Sequence, residues 1–181
     1  MQRAAVLRLL RAHHACVADP HEAEMLTQVV CFVEAHSDCL LRTCAEGHLT
    51  GSAWIVDPRR GRTLLVHHRK LDKWLQPGGH ADGDPDLMSV ALREAREETG
   101  LTRLRVVSTE LYDVDRHWIP SRAETPGHWH LDLRFLIEAD PDEPLVVSEE
   151  SHDLAWVELS RVSGLNPDAS LRRMALKTPG S

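Results

Sequence analysis

The segment that most constrains this chain is LREAREETGL, residues 92–101. Glu97 and Glu98 follow Glu94 by three and four residues, so a helix would place all three carboxylates along one side. Such carboxylates repel one another unless a cation lies between them, and their hard oxygen atoms suit Mg²⁺ or Mn²⁺. Gly100 is suited to the left-handed conformation that ends many helices. The segment therefore predicts a metal-binding helix, although a solvated helix with Glu–Arg pairs has the same spacing.

The composition is that of a single folded domain. The chain has 181 residues, of which 42% are hydrophobic and 27% charged, and this length is enough to bury a core. Its formal net charge of −7 lacks the basic surplus that binding to nucleic-acid polymers requires, so no such partner is expected. The four cysteines form no C-x-x-C pair and are expected to be reduced thiols in a cytoplasmic protein. No membrane partner is expected either, because Arg8 and Arg11 interrupt the apolar run near the N terminus.

Hydrophobic and turn patterns predict an α+β domain that follows two helices. Strands are expected at 48–56, 63–68, 104–113, 129–138 and 153–158, and helices at 3–15, 20–35, 85–99 and after Asn166-Pro167. Asp19 is expected to cap the second helix. The pattern divides the chain into a helical extension (1–45), a main domain (46–177) and a loose tail (178–181). The extension is expected to pack on the domain as a flap or, alternatively, to form a homodimer contact.

A pair of glycines, Gly78-Gly79, precedes the carboxylate helix. Counted from Gly79, the sequence closely resembles the signature of the Nudix hydrolases, G-x5-E-x7-R-E-U-x-E-E-x-G-U, where U is a bulky apolar residue. The charged pairs and the final pair of that signature fall on Arg93-Glu94, Glu97-Glu98 and Gly100-Leu101. The resemblance covers residues 46–160 and leaves the N-terminal helices outside it.

Two positions depart from the signature. Its first Glu falls on Pro85, so Asp84 or Asp86 would have to replace the missing charge. Asp84 and Pro85 are themselves suited to begin the helix, as its N-cap and its first residue. The apolar residue after Arg-Glu is Ala95, a reduction in size that a repacked core can absorb.

The resemblance implies a Nudix α/β/α sandwich around a mixed sheet and an enzyme that acts on small diphosphates. The implied reaction is the Mg²⁺- or Mn²⁺-dependent hydrolysis of a pyrophosphate bond in a nucleoside diphosphate linked to another group. The implied metal ligands are Glu94, Glu97 and Glu98; the general base is Glu97, Glu98 or, from a later loop, Glu150, and Arg93 orients a carboxylate. Substrate contacts are expected at Lys73, Trp74, Gly78, Gly79 and Arg134. The alternative, which Pro85 favours, is a non-catalytic module of the same fold that binds a nucleotide or a metal.

Histidines form a second candidate metal site. His128 and His130 are two residues apart in a predicted strand, so their side chains point to the same face, together with Asp132. His48 opens another strand and His80 follows the glycine pair. Neutral imidazoles that converged there would bind Zn²⁺, Fe²⁺ or Mn²⁺. Alternatively, these side chains line the substrate cleft and bond to phosphate or a base.

The placement of these histidines also resembles the metal site of type I isopentenyl-diphosphate isomerases, which share the Nudix fold. The strand-opening His of that family matches His48, its Cys-Gly-His matches Gly78-Gly79-His80, and its E-x-E falls on His128 and His130. Isomerase activity is not expected, because the reactive Cys is replaced by a glycine. The resemblance does imply a metal at the four histidines.

Overall fold

A mixed sheet of eight strands forms the centre of the protein, in a computed structural model that describes residues 2–121 and 125–178. The strands are β1 (Gly47–Val56), β2 (Arg62–His68), β3 (Lys73–Leu75), β4 (Gly78–His80), β5 (Leu104–Val106), β6 (Asp113–Ile119), β7 (His128–Ala139) and β8 (Ser151–Glu158). Their order is β3-β2-β1-β7-β5, while β4 pairs with β1, β6 with β7 and β8 with β2. β1 runs parallel to β7 along its whole length, and the other described pairings are antiparallel.

Helices cover both faces of this sheet. They are α1 (Gln2–His14), α2 (Pro20–Ala35), α3 (Leu87–Thr99), α4 (Val162–Leu165) and α5 (Ala169–Lys177). α3 lies so close to β1 that a Cβ atom on Gly51 would be 2.5 Å from the carbonyl oxygen of Leu87. α5 packs on the opposite face, where Leu171 and Met174 join the apolar cluster of Trp54. These layers confirm the predicted α/β/α sandwich.

The N-terminal helices α1 and α2 pack on the domain as a flap. Val6 and Leu10 of α1 and Leu26 of α2 are buried in one apolar cluster with Phe135 of β7. Asp19 caps α2, as predicted. The extension therefore shares its core with the sheet, whereas a homodimer contact stays a prediction.

The prediction of one strand over 104–113 was wrong. Two strands, β5 and β6, lie there, separated by a turn in which Ser108 Oγ accepts a hydrogen bond from the backbone N–H of Glu110 at 3.0 Å. A hydroxyl that competes for the backbone in this way favours a turn over a strand. β6 continues past the predicted end. Its alternation places on one face the side chains of Asp113, Asp115 and His117.

Two helices begin later than predicted. α3 is capped by Asp86, because the carboxylate of Asp84 accepts the backbone N–H of Asp86 at 2.9 Å and so forms a turn before the helix. α5 is capped by Asp168 rather than Asn166, whose Nδ2 donates to the carbonyl oxygen of Trp74 at 2.8 Å. The side chain of Asp84 thus forms a local turn, whereas that of Asn166 bonds to a distant strand.

Thr178 does not belong to the predicted loose tail. Its side chain is buried, and its hydroxyl oxygen accepts from Nε1 of Trp54 at 2.9 Å. Residues 179–181 lie outside the described residues. None of the helices described is both long enough and apolar enough to cross a membrane.

The face of the sheet that carries α5 is apolar under that helix and polar beyond it. Trp54 of β1 lies under α5, and Ser52, Thr50 and His48 follow toward the other end of the strand on the same face. The parallel register sets His48 beside His130 of β7. The polar half of this face is where the imidazoles collect, on the side of the sheet opposite α3.

Candidate active site and histidine cluster

Glu94 on α3 packs directly over the glycine pair. A Cβ atom on Gly79 would lie 2.3 Å from Cδ of Glu94, and one on Gly78 would lie 2.1 Å from Oγ of Ser52. No other residue fits at either position without moving its neighbour. Nη2 of Arg93 donates to Oε1 of Glu94 at 2.9 Å, and a charge-assisted bond of this kind can orient a carboxylate.

Glu98 is held at the same strand. Its Oε1 accepts the backbone N–H of Gly78 at 3.3 Å. Burial raises the pKa of the Glu98 carboxyl to about 8; the Gly78 N–H lowers it, and the negative charges of Glu94, Glu150 and Glu97 raise it further. A divalent cation beside Glu98 would favour the ionised carboxylate.

The three glutamates, here called the glutamate row, fit a Mg²⁺-like ion. Glu94 and Glu98 are half-buried and Glu97 is exposed. Among the described residues they do not form a group whose ligand atoms all lie within 4.8 Å of one another. An ion held there would take its remaining ligands from water or phosphate oxygens, as Mg²⁺ usually does. Pro85 precedes α3 and adds no carboxylate.

Glu150 is exposed in the loop before β8. Arg69 holds this loop in place: its backbone N–H donates to the Glu150 carbonyl oxygen at 2.9 Å, and its guanidinium donates to the carbonyl oxygens of Glu149 at 3.0 Å and Ser151 at 2.8 Å. The charge of Glu150 contributes to the raised pKa of Glu98. The loop therefore lies near enough to the glutamate row for its charge to act there.

β3 supplies the two predicted substrate contacts that precede the glycines. Lys73 is exposed. Trp74 stacks on His67 with the ring centroids 4.9 Å apart and the planes at 11°, so that one face of the indole is already covered. No role was predicted for Gln76, whose Nε2 donates to Oδ2 of Asp132 at 3.1 Å.

Arg134, predicted to contact substrate, instead lies in a buried network of carboxylates. Its guanidinium donates to Asp132 at 2.8 Å, to Asp113 at 3.2 Å and to Asp115 at 3.3 Å, and only 2% of the residue is exposed. Burial opposes the charged form, but these three carboxylates raise the pKa of Arg134 above its ordinary value. The side chain thus ties β6 to β7 and is not available to a substrate.

Five imidazoles meet on the polar half of the sheet. This group, here called the histidine cluster, consists of His48, His80, His117, His128 and His130. The ring centroid of His48 lies 4.8 Å from that of His128 and 5.0 Å from those of His80 and His130. The ligand atoms of His48, His128 and His130 all lie within 4.8 Å of one another. His117, whose ring centroid is 5.5 Å from that of His130, was missed because its strand was predicted to end before it.

Two members of the cluster have one ring nitrogen fixed from behind. Nδ1 of His128 lies 2.9 Å from the carbonyl oxygen of Pro126, which can only accept, so Nδ1 carries the proton and Nε2 presents a lone pair. That Nε2 lies 3.3 Å from Nε2 of His130. Nδ1 of His117 lies 3.3 Å from the carboxylate of Asp115. A carbonyl or carboxylate behind the ring is the usual support of a metal-bound histidine.

His48 is buried at the centre of the cluster without a hydrogen bond. It is 4% exposed, and neither ring nitrogen is within good hydrogen-bond geometry of a partner among residues 2–121 and 125–178, although the backbone of Cys44 lies near enough to act on its pKa. An unpaired buried N–H costs about 1–3 kcal/mol. Burial, reinforced by the positive charge of neighbouring groups, lowers the pKa of His48 and His80 to about 4 and that of His130 to about 2. These rings are therefore neutral near pH 7.

Asp132 shares the face of the histidines, as predicted, but its oxygens are already occupied. Oδ1 accepts from the hydroxyls of Thr50 at 2.9 Å and Ser52 at 2.7 Å. Oδ2 accepts from Gln76 at 3.1 Å and Arg134 at 2.8 Å. Four donors use all the lone pairs of a carboxylate. Asp132 is therefore not a candidate metal ligand, and on this face only the histidines are.

A separate cavity of about 500 Å³ lies between the α1–α2 turn and α5. None of the residues of the glutamate row or the histidine cluster lines it. Its buried carboxylate, Glu22, is already bonded to His13 at 2.9 Å and to Lys177 at 2.9 Å. We therefore assign it no part in the chemistry.

The fold is similar to that of solved hydrolases. A C. elegans Ap4A hydrolase in a binary complex matches 71% of this chain and 93% of its own, with a TM-score of 0.57 and 19% identity. The E. coli dihydroneopterin triphosphate pyrophosphohydrolase matches 72% of this chain and 94% of its own, with a TM-score of 0.58 and 15% identity. At such identities the likeness establishes the fold alone, and it confirms the predicted one.

Sequence comparison identifies the family. A probable DHNTP pyrophosphohydrolase of Lactococcus lactis subsp. cremoris (strain MG1363) is 28% identical over 130 residues, which cover 70% of this chain and 76% of the relative. The family model of the NUDIX domain matches residues 48–176. These matches confirm the predicted Nudix-type enzyme. The chain belongs to the NUDIX family.

Proposed function

We propose that this protein hydrolyses a pyrophosphate bond in a small molecule, with Mg²⁺ or Mn²⁺ bound at the glutamate row. The observation that carries the proposal is the packing of Glu94 over Gly79, together with the bond from Gly78 to Glu98. The glycines let the carboxylates approach the strand and leave space beside it for phosphate oxygens. When bound, the cation would neutralise charge on the phosphates and lower the pKa of an attacking water.

Residues of the chain would orient the carboxylates that bind the cation and supply the general base. Arg93 holds Glu94 through its 2.9 Å hydrogen bond, which leaves the second carboxylate oxygen of Glu94 for a cation. Glu97 is exposed and Glu98 is half-buried, and either could accept a proton from water. Glu150 is the alternative base, from the loop that Arg69 holds.

The proposed substrate is a nucleoside diphosphate linked to another group, or a related compound with a ring and a phosphate chain. Trp74 stacks on His67 and packs against the apolar cluster of Trp54, so it would contact the ring of the substrate only with the part of its side chain that remains exposed. Lys73 would attract the phosphates, and Gly78 and Gly79 would let the phosphate chain approach. Arg134 is left out of this set because it is buried. The name of the Lactococcus relative supports testing dihydroneopterin triphosphate alongside sugar nucleotides, dinucleotides and coenzyme A esters.

The test is a hydrolysis screen over these compounds with Mg²⁺ and with Mn²⁺. We expect turnover of at least one compound, with cleavage between phosphates. Glu97→Gln and Glu98→Gln should each lower kcat by about 100-fold or more, in the range for loss of an acid–base group. Glu24→Gln, at an exposed carboxylate on α2, is the control and should leave kcat unchanged. Equal turnover by wild type and both active-site variants would refute the proposal.

A second candidate function is a binding module that does not turn its ligand over. Pro85 favours it, because the chain lacks the first Glu of the family signature. The module would be stabilised against heat by a compound of the same screen, since a ligand that binds only the folded state raises its stability. Thermal stabilisation without product in the presence of both metals would select this function over the hydrolase.

Location and assembly also stay proposals. We propose a cytoplasmic protein, supported by four cysteines that are free, two of them exposed (Cys16 and Cys31) and two buried (Cys39 and Cys44). A homodimer through the helical extension is the proposed assembly, and equilibrium sedimentation would test it. No partnership with nucleic-acid polymers is proposed, given the net charge of −7.

A further inference from the structure

The ligand atoms of the histidine cluster converge more closely than those of the glutamate row. Within the described ranges, His48, His128 and His130 are the group of ligand side chains whose atoms all lie within 4.8 Å of one another. We propose that the cluster binds a divalent transition metal such as Zn²⁺, with His48, His128 and His130 as ligands and His80 as the fourth. The proposal goes beyond the hydrolase and does not depend on it.

Distances within the cluster match one shared ion. A zinc–nitrogen bond of about 2.1 Å and a tetrahedral angle place two ligand nitrogens about 3.4 Å apart. Nε2 of His128 lies 3.3 Å from Nε2 of His130. The ring centroid of His80 lies 5.0 Å from those of both His48 and His130, which makes it the neighbouring imidazole that we assign as the fourth ligand.

Hydrogen bonds in the cluster also point to a ligand. The carbonyl oxygen of Pro126 fixes the proton of His128 on Nδ1, so the Nε2 atom that faces His130 carries a lone pair with which it could bind a metal. His48 is buried with both ring nitrogens unpaired. A metal bound there would use the lone pair of one of these nitrogens, which no hydrogen bond uses.

The chemistry of the cluster selects the class of ligand. All the donors are imidazole nitrogens, which suit Zn²⁺, Co²⁺ or Ni²⁺, whereas Mg²⁺ and Ca²⁺ require oxygen. The one carboxylate on this face, Asp132, is saturated by its four donors. A transition metal therefore fits the cluster better than Mg²⁺ or Ca²⁺ does.

The cluster and the glutamate row lie on opposite faces of the short strand β4. Gly79 faces Glu94 of α3, and the next residue, His80, faces His48. Arg93 lies between the two sites, because its Nη2 is 2.9 Å from Glu94 Oε1 and 3.3 Å from the carbonyl oxygen of His80. The two sites would therefore hold two different ions, one on each face of β4.

The test is a Co²⁺ titration of the full chain, freed of metal and kept in excess Mg²⁺ so that the glutamate row is occupied by its own ion. We expect one equivalent of Co²⁺ to bind, to give the strong visible absorption of tetrahedral Co²⁺, and to be displaced by Zn²⁺. His128→Asn and His80→Ala should each weaken binding by more than about 100-fold, since loss of a supporting residue alone costs roughly 10- to 100-fold. His80 is half-buried, so its variant is expected to fold.

Two control variants test whether Co²⁺ binds at the histidine cluster and not elsewhere. His21→Ala, at an exposed histidine on α2, and the double variant Glu97→Gln, Glu98→Gln should both bind Co²⁺ as the wild type does. Three results would overturn the proposal. These are no tetrahedral spectrum from the wild type, unchanged affinity in His128→Asn and His80→Ala, or loss of the spectrum in the glutamate double variant.

Discussion

The glutamate row and the histidine cluster face away from each other across β4, and they are built in different ways. The row comes from one helix, α3, where the spacing of Glu94, Glu97 and Glu98 alone puts the carboxylates on one side. The cluster comes from four strands, β1, β4, β6 and β7, and depends on the register in which they pair. The geometry of a site on one helix is therefore set by nearby residues, whereas the geometry of a site across a sheet depends on the contacts that hold its strands in register.

The largest effect is expected from a substitution at Arg134, which holds together the strands that carry the histidine cluster. Arg134→Met would leave Asp113, Asp115 and Asp132 buried without their cation, and we expect a loss of about 3–5 kcal/mol in the free energy of unfolding. Arg96→Met, at an exposed arginine on α3, is the control and should change it by less than about 0.5 kcal/mol. Urea denaturation measures both. Similar small losses in the two variants would show that the sheet site does not depend on this network.

The next largest effect is expected at the glycine pair. Gly79→Ala would place a Cβ atom 2.3 Å from Glu94 and push the carboxylate off the strand; we expect kcat to fall by about 100-fold, as for a misplacement of about 1 Å. Gly61→Ala, where an added Cβ meets nothing within 4 Å, should leave kcat unchanged. If Gly79→Ala keeps full activity with either metal, the close packing of Glu94 is not needed for catalysis.

Low pH should reduce the stability that Glu22 contributes, because Glu22 belongs to the buried charge network beside the histidine cluster. Burial works to raise the pKa of Glu22, but hydrogen bonds from His13 and Lys177 outweigh it and lower the pKa to about 2. A depressed pKa means that the stabilisation is complete above the unfolded value of 4.5 and is lost as the pH falls from 4.5 to about 2. Glu22→Gln should cost about 2 kcal/mol at pH 7 and progressively less below pH 4.5. A cost that does not change with pH would contradict this explanation.

The smallest effect is expected at Arg93, which contacts both sites. Lysine is a point charge without the guanidinium fork, so Arg93→Lys cannot bond to Glu94 and to the His80 carbonyl in the same way. We expect kcat to fall by about 10-fold, or about 1.4 kcal/mol in the barrier, while Co²⁺ binding at the histidine cluster stays unchanged. Arg96→Lys is the control in the kinetic assay. A loss of Co²⁺ binding in Arg93→Lys would mean that the two sites are coupled.

The sequence was most informative where the structure is local. The carboxylate helix, its end at Gly100 and the glycine pair before it follow from spacing, and the family model confirms the fold that they imply. The cap of α2 at Asp19 was likewise predicted from neighbouring residues.

The errors arose where distant residues compete for one group. Asn166 was expected to cap a helix, but its amide bonds to Trp74, which is far away in the chain. Arg134 was expected to meet substrate, but β6 supplies carboxylates that surround it. His117 was missed because the turn at Ser108 moves the start of β6. The contacts of Asn166 and Arg134 join residues far apart in the chain, so local spacing does not predict them. The turn at Ser108 is local, but residues 104–113 were interpreted as one strand.

The most direct test of the central claim, hydrolysis at the glutamate row, is Mg²⁺-dependent turnover by wild type and Glu98→Gln on the best compound of the screen, with Zn²⁺ content measured on the same samples. We predict that Glu98→Gln loses about 100-fold or more in kcat and keeps the Zn²⁺ content of the wild type. Undiminished turnover by Glu98→Gln would contradict the claim that the glutamate row is the site of hydrolysis.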